Sequence, residues 1–209
     1  MSSPNPKEEG LRGFMSSSGI PVEWIRRLLE SDTITDTLLN TTKTFHVPIS
    51  DPGAGTNAPG QQPTIAIIST TQVAEMTLNT DAMYRLFKVP ENFLGEPVFE
   101  AHWTKQSGAG GNGDESGKVV RWRISYTVFN GEPEDVNVAP IVVEVEDTYE
   151  DSGTTTRFMY KTGKVPATGI IAGDYVSVCV EAVTPVGTPM TAEPALASID
   201  FEYLGWLNQ

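Results

Sequence analysis

The chain has 209 residues, enough for one domain with a full core plus a terminal arm, and a formal net charge of −13 from 14 basic and 27 acidic side chains. So acidic a surface repels phosphate backbones and anionic headgroups, which excludes nucleic acid and membrane surfaces from the expected partners. The single cysteine, Cys179, excludes an intrachain disulfide and a multi-cysteine zinc site.

No apolar run approaches the ~20 residues of a membrane span, and the opening MSSPNPKEEG lacks the apolar core of a signal peptide. A soluble chain made in the cytoplasm is expected. Residues 1–32 read as an arm rich in Ser, Pro and Gly that ends in one short helix, about 21–31. Pro21 suits the first helical position, and Trp24, Ile25, Leu28 and Leu29 recur at helical spacing.

Residues 33–209 read as a single β-domain. Apolar or β-branched runs follow one another: ITDTLLNTTKTFHVPI, TIAIIST, QVAEMTLN, PVFEAHWTK, KVVRWRISYTVF, APIVVEVEDTYE, TTTRFMYKT, DYVSVCVEAV and LASIDFEYL. Turn-formers such as DPGAGTNAPGQQP, NFLGEP, NGEPED and PVGTPMTAEP separate them. In VRWRISYTVF, Trp122, Ile124, Tyr126 and Val128 alternate with Arg121, Arg123, Ser125 and Thr127. In DYVSVCVEAV, Val176, Val178, Val180 and Ala182 oppose Tyr175, Ser177, Cys179 and Glu181. Ile199, Phe201 and Tyr203 likewise oppose Asp200 and Glu202. Period-two alternation places one face of each strand on a core and the other towards solvent or a neighbour. Strands without intervening helices predict an antiparallel sandwich or barrel. The segment NTDAMYRLFKVPENF, 79–93, fits either a helical turn through Met83, Leu86 and Phe87 or a strand.

The stretch SGAGGNGDESGK places Gly108, Gly110 and Gly113 at the spacing of a dinucleotide fingerprint. That motif needs a helix after it, to aim amides at a pyrophosphate. Here KVVRWRISYTVF follows, so the glycines predict a long, mobile hairpin connection instead. The two histidines, His46 and His102, and mid-strand Cys179 make no recognisable nucleophile–base arrangement, and neither H-E-x-x-H nor G-x-S-x-G occurs. Acidic residues gather between 132 and 151. A solvated strand face explains them best, with a Ca²⁺ site at residues such as Asp147 and Asp151 or an acidic docking surface as alternatives. Tyr149, Tyr160 and Trp206 could stack on sugars if exposed, or belong to the core.

Three passages carry a resemblance. Trp122, Ile124 and Tyr126 in GKVVRWRISYTVF, Gly173, Asp174, Val176 and Val178 in TGIIAGDYVSVCVEAV, and Leu196, Ile199, Phe201 and Tyr203 in LASIDFEYL resemble virion-associated jelly-roll proteins of tailed bacteriophages, over roughly residues 95–204. The resemblance implies a jelly-roll β-sandwich and a structural, non-enzymatic role in the virion. A capsid cement or decoration protein, or a tail-associated one, would fit, commonly as a homotrimer, with the major capsid protein or another virion protein as partner. It brings no catalytic residue, cofactor or metal. The expected interface consists of Trp24, Ile25 and Leu28 in the helix and Leu204, Trp206 and Leu207 in an apolar C-terminal tail, since apolar anchors dominate interface energies. The alternative expectation is a carbohydrate- or receptor-binding β-sandwich of a tail or adhesin.

Overall fold

The computed structural model describes residues 40–48, 63–130, 135 and 138–206. The expected arm and helix, with Trp24, Ile25 and Leu28, lie outside these residues, as does Leu207.

The chain runs through β1 (Asn40–Pro48), β2 (Thr64–Ile68), β3 (Thr71–Glu75), β4 (Ala82–Lys88), β5 (Phe93–Lys105), β6 (Lys118–Phe129) and β7 (Ile141–Tyr149). It continues through β8 (Tyr160–Lys161), β9 (Val165–Pro166), β10 (Tyr175–Val183) and β11 (Pro194–Trp206). These strands form two antiparallel sheets packed as a sandwich. One has the order β2-β3-β11-β5-β8, with β1 also on β11 and β9 also on β5; the other has the order β4-β10-β6-β7. From β3 to β6 the chain changes sheet at every step, and it does so again from β7 to β8, β9 to β10 and β10 to β11.

The alternation in the sequence decides which face is buried. Trp122, Ile124 and Tyr126 of β6 and Val176, Val178 and Val180 of β10 meet Phe99, Ala101 and Trp103 of β5 and Ile199, Phe201 and Tyr203 of β11 in one core. Two aromatic groups anchor it. Phe201 packs against Phe87 and Phe99 at centroid distances of 5.2 and 5.5 Å, and Tyr149 against Tyr160 at 4.8 Å. Trp103 lies beside Trp122 at 6.3 Å and Tyr160 at 5.3 Å, so the second group ties the two sheets together. Tilted pairs of this kind add about 0.5–1.5 kcal/mol each beyond the area they bury.

The ambiguous segment 79–93 resolves as a strand. β4 pairs with β10 from Tyr175↔Lys88 to Glu181↔Ala82, which turns Met83 and Phe87 inward and leaves Leu86 outside. The run TTTRFMYKT supplies only the two residues of β8, because Thr162 leaves the ladder and closes on Ala101, giving its N–H to the Ala101 carbonyl and accepting the Ala101 N–H at its hydroxyl. Before β10, Gly173 has φ +84, a left-handed turn closed by the Asp174 carboxylate accepting the Ile171 N–H at 2.8 Å. The expected apolar tail is shorter than the sequence suggested. Leu204 and Trp206 belong to β11, opposite Thr42 and Asn40 of β1, and Leu204 is half-buried there.

Candidate functional site

Three places on the sandwich concentrate chemistry: the connection between β5 and β6, the outer face of the four-stranded sheet, and the outer face of the larger sheet.

The connection SGAGGNGDESGK holds a single 3-10 turn, Ala109–Gly111, and then enters β6 as a strand, so no helix N-terminus exists for a pyrophosphate. It is not a hairpin, since β5 and β6 lie in different sheets. Nor is it loosely tethered, as the glycine content suggested. Lys105, fully buried, donates to the carbonyls of Gly113 at 2.9 Å, Gly153 at 2.6 Å and Thr154 at 3.2 Å, with its ammonium 5.2 Å from the Tyr149 ring centroid. Desolvation lowers its pKa. Arg157 donates to the carbonyls of Gln106 and Gly108. Buried Glu115 accepts the N–H groups of Thr191 and Ala192 at 2.8 and 3.2 Å. Gly111 is required here, because a Cβ would stand 1.9 Å from the Gln106 carbonyl oxygen. Each charge is thus spent on closing a loop.

The outer face of the four-stranded sheet divides into a charged half and an apolar half. In the charged half, Arg121 and Arg123 of β6 face Glu144 and Glu146 of β7, with Arg123 2.8 Å from Glu144. Within the acidic run of the sequence, Glu144 and Glu146 are therefore answered by arginines of the neighbouring strand. Asp147 accepts the Trp103 indole N–H at 2.7 Å, and burial raises its pKa. Asp151 caps the Gly153 N–H. These two carboxylates serve internal bonds and do not converge on a Ca²⁺ position.

In the other half, register brings Leu86 beside Ser177, Tyr84 beside Cys179, and Ser125 beside both Cys179 and Val142. Leu86 is 64% exposed, Val142 51%, Tyr175 40% and Tyr84 38%. Among them, burial pushes the Cys179 thiol up to about 11, so it stays protonated at neutral pH and is a poor nucleophile. Tyr84 is raised further, by burial and by its hydrogen bond with that thiol.

Of the sugar-stacking candidates, Tyr149 and Tyr160 belong to the aromatic core, and the Trp206 side chain lies outside what the structure describes. Tyr149 is fully buried, and Tyr160 packs on Tyr149 and Trp103 with its hydroxyl accepting the Asp151 N–H at 3.1 Å.

The outer face of the larger sheet departs most from the sequence reading. Asp200 and Glu100 are both buried, and they are direct cross-strand partners on β11 and β5. His102 Nε2 lies 3.0 Å from Asp200 Oδ2 and 3.5 Å from Glu100 Oε2. Lys161 of β8, opposite His102, reaches Glu100 at 3.3 Å. No spacing in the sequence announces this group, because it exists only once β5 and β11 pair in this register.

No family model matches the chain, and comparison with characterised proteins returns no related sequence.

Proposed function

We propose that this chain is a non-enzymatic structural protein of a virus particle, a capsid cement or decoration protein that docks a β-sandwich on the shell and bridges neighbouring capsid subunits. The observation that carries the reading is the divided outer face of the four-stranded sheet. Arg121 and Arg123 pair with Glu144 and Glu146 on one half, while Tyr84, Leu86, Tyr175 and Val142 stay exposed around small Ser125 and Ser177 on the other. Aromatic and aliphatic side chains clustered on a rigid sheet, with a polar rim beside them, are what a specific interface buries at its centre.

Two further features support the reading. The strand orders β3-β11-β5-β8 and β4-β10-β6-β7 fit a jelly roll, an architecture that serves viral capsid and lectin domains. The polar networks around Lys105, Arg157 and Glu115 rigidify the loops beside the sheets. Trp24, Ile25 and Leu28, outside the described residues, and Leu204, Trp206 and Leu207 are assigned to secondary anchoring, and a homotrimer is the assembly this reading favours.

The test is co-sedimentation of the purified chain with empty heads assembled from the major capsid protein of the same virus. The wild type is expected to saturate the heads, and Leu86→Glu to bind at least about tenfold more weakly, since each 1.4 kcal/mol lost from an anchor is tenfold in affinity. Equal binding by the two proteins would refute the docking face. Glycan-array binding that Tyr84→Ser abolishes would favour the carbohydrate-binding alternative.

A further inference from the structure

We infer that Glu100, His102 and Asp200 form a binding site for a divalent first-row transition-metal ion on the outer face of the larger sheet. One ligand atom from each lies within 4.8 Å of the others. Two buried carboxylates placed directly opposite each other on neighbouring strands repel, and a cation held between them offsets that repulsion. Lys161 supplies part of that positive charge to Glu100 at 3.3 Å, from a side chain that is 59% exposed. Both carboxylates converge instead on one atom, His102 Nε2, at 3.0 and 3.5 Å.

These separations suit a shared ion. Bonds of ~2.1 Å from zinc to nitrogen and oxygen ligands in a tetrahedron put neighbouring ligand atoms about 3.4 Å apart. The two distances from His102 bracket that edge, and the carboxylates need only a small approach to complete a triangular face. A dication there offsets both negative charges at once and uses His102 as a neutral ligand.

The donor set also selects the ion. One imidazole with two carboxylates suits zinc and its neighbours, whereas Ca²⁺ takes six to eight oxygens, more than this group offers. Three protein ligands leave a fourth position for water. In β1, the residue opposite Asp200 in register is His46, the chain's other histidine; the three-ligand site stands without it. The strands that carry the ligands, β5 and β11, are the central pair of their sheet, so an ion here would clamp that pair from outside the core.

The experiment uses tag-free, full-length protein stripped with chelator and titrated with Zn²⁺ in a calorimeter. A parallel Co²⁺ titration reads the ligand-field absorption of a low-coordinate site. The expected result is one ion per chain, intense Co²⁺ bands that Zn²⁺ displaces, and little response to Ca²⁺. His102→Asn, which keeps a polar side chain in the space, is expected to weaken Zn²⁺ binding by about tenfold or more, the least that losing even an outer-shell partner typically costs. No stoichiometric Zn²⁺ uptake by the wild type would overturn the site. So would octahedral, weakly absorbing Co²⁺, or unchanged affinity in a His102→Asn protein whose metal-free melting temperature matches the wild type. The wild-type Co²⁺ spectrum stands whether or not the variant folds.

Discussion

Replacing Lys105 by Met would remove a charge from the interior while keeping most of the side-chain volume. The ammonium makes hydrogen bonds to the carbonyls of Gly113, Gly153 and Thr154, which belong to two different loops, and Met leaves all three acceptors without that donor. A hydrogen bond to a charged group is worth about 1.5–3 kcal/mol, and removing one partner from a buried charged network costs about 3–5 kcal/mol. Relief from burying the charge offsets part of this, and desolvation is the main cause of the lowered pKa of Lys105. The balance is a loss of about 3 kcal/mol, or a fall of roughly 6–12 °C in Tm at about 2–4 °C per kcal/mol for a domain of this size. Urea unfolding followed by tryptophan fluorescence measures it directly, since Trp103 and Trp122 lie in the core.

The pH dependence has a definite sign. A lowered native pKa means that the unfolded chain binds more protons at this site, so its contribution to stability rises with pH between the native pKa and the ordinary value of 10.5. The Met variant lacks that slope. A variant within about 0.5 kcal/mol of wild type, the usual span of a surface substitution, would refute the view that Lys105 holds these loops closed.

The remaining predictions concern a thiol and two glycines. Cys179, held at about 11 against an ordinary 9.0, is expected to alkylate roughly 100-fold more slowly than a free thiol near pH 8, with a rate that climbs towards pH 11. Reaction with a chromogenic disulfide at several pH values checks this, and a plateau near pH 9 would contradict it. Gly111→Ala forces a Cβ to 1.9 Å from the Gln106 carbonyl, whereas Gly110→Ala meets only the flexible end of the Gln106 side chain at 2.5 Å. Thermal denaturation is expected to show a loss of about 2 kcal/mol or more for the first and under about 1 kcal/mol for the second.

The local pattern made the strands legible wherever alternation was complete. KVVRWRISYTVF became β6 with the same limits, because inward Val120, Trp122, Ile124 and Tyr126 are apolar and outward Arg121, Arg123, Ser125 and Thr127 are polar. The same strand refuted the nucleotide fingerprint before any coordinate was needed. The segment 79–93 was ambiguous because exposed Leu86 and buried Phe87 are both apolar, and only pairing with β10 assigns them to opposite faces. The loop of residues 107–118 looked mobile from its glycines, yet it is restrained by Lys105, Arg157 and Glu75 from outside it and by its own buried Glu115. The alternation of Asp200 with Ile199 and Phe201 left its face to solvent or a neighbour, and Asp200 is buried where β5 and β1 pair on either side of β11. A candidate site assembled across strands leaves no spacing signature in the chain.

The most direct measurement of the central claim is electron cryo-microscopy of heads decorated with this protein. The account predicts that the sheet β4-β10-β6-β7 faces the shell, with Tyr84, Leu86, Tyr175 and Val142 buried at the contact and the arginine–glutamate rows at its rim. Density with that face open to solvent on a fully occupied head would contradict it.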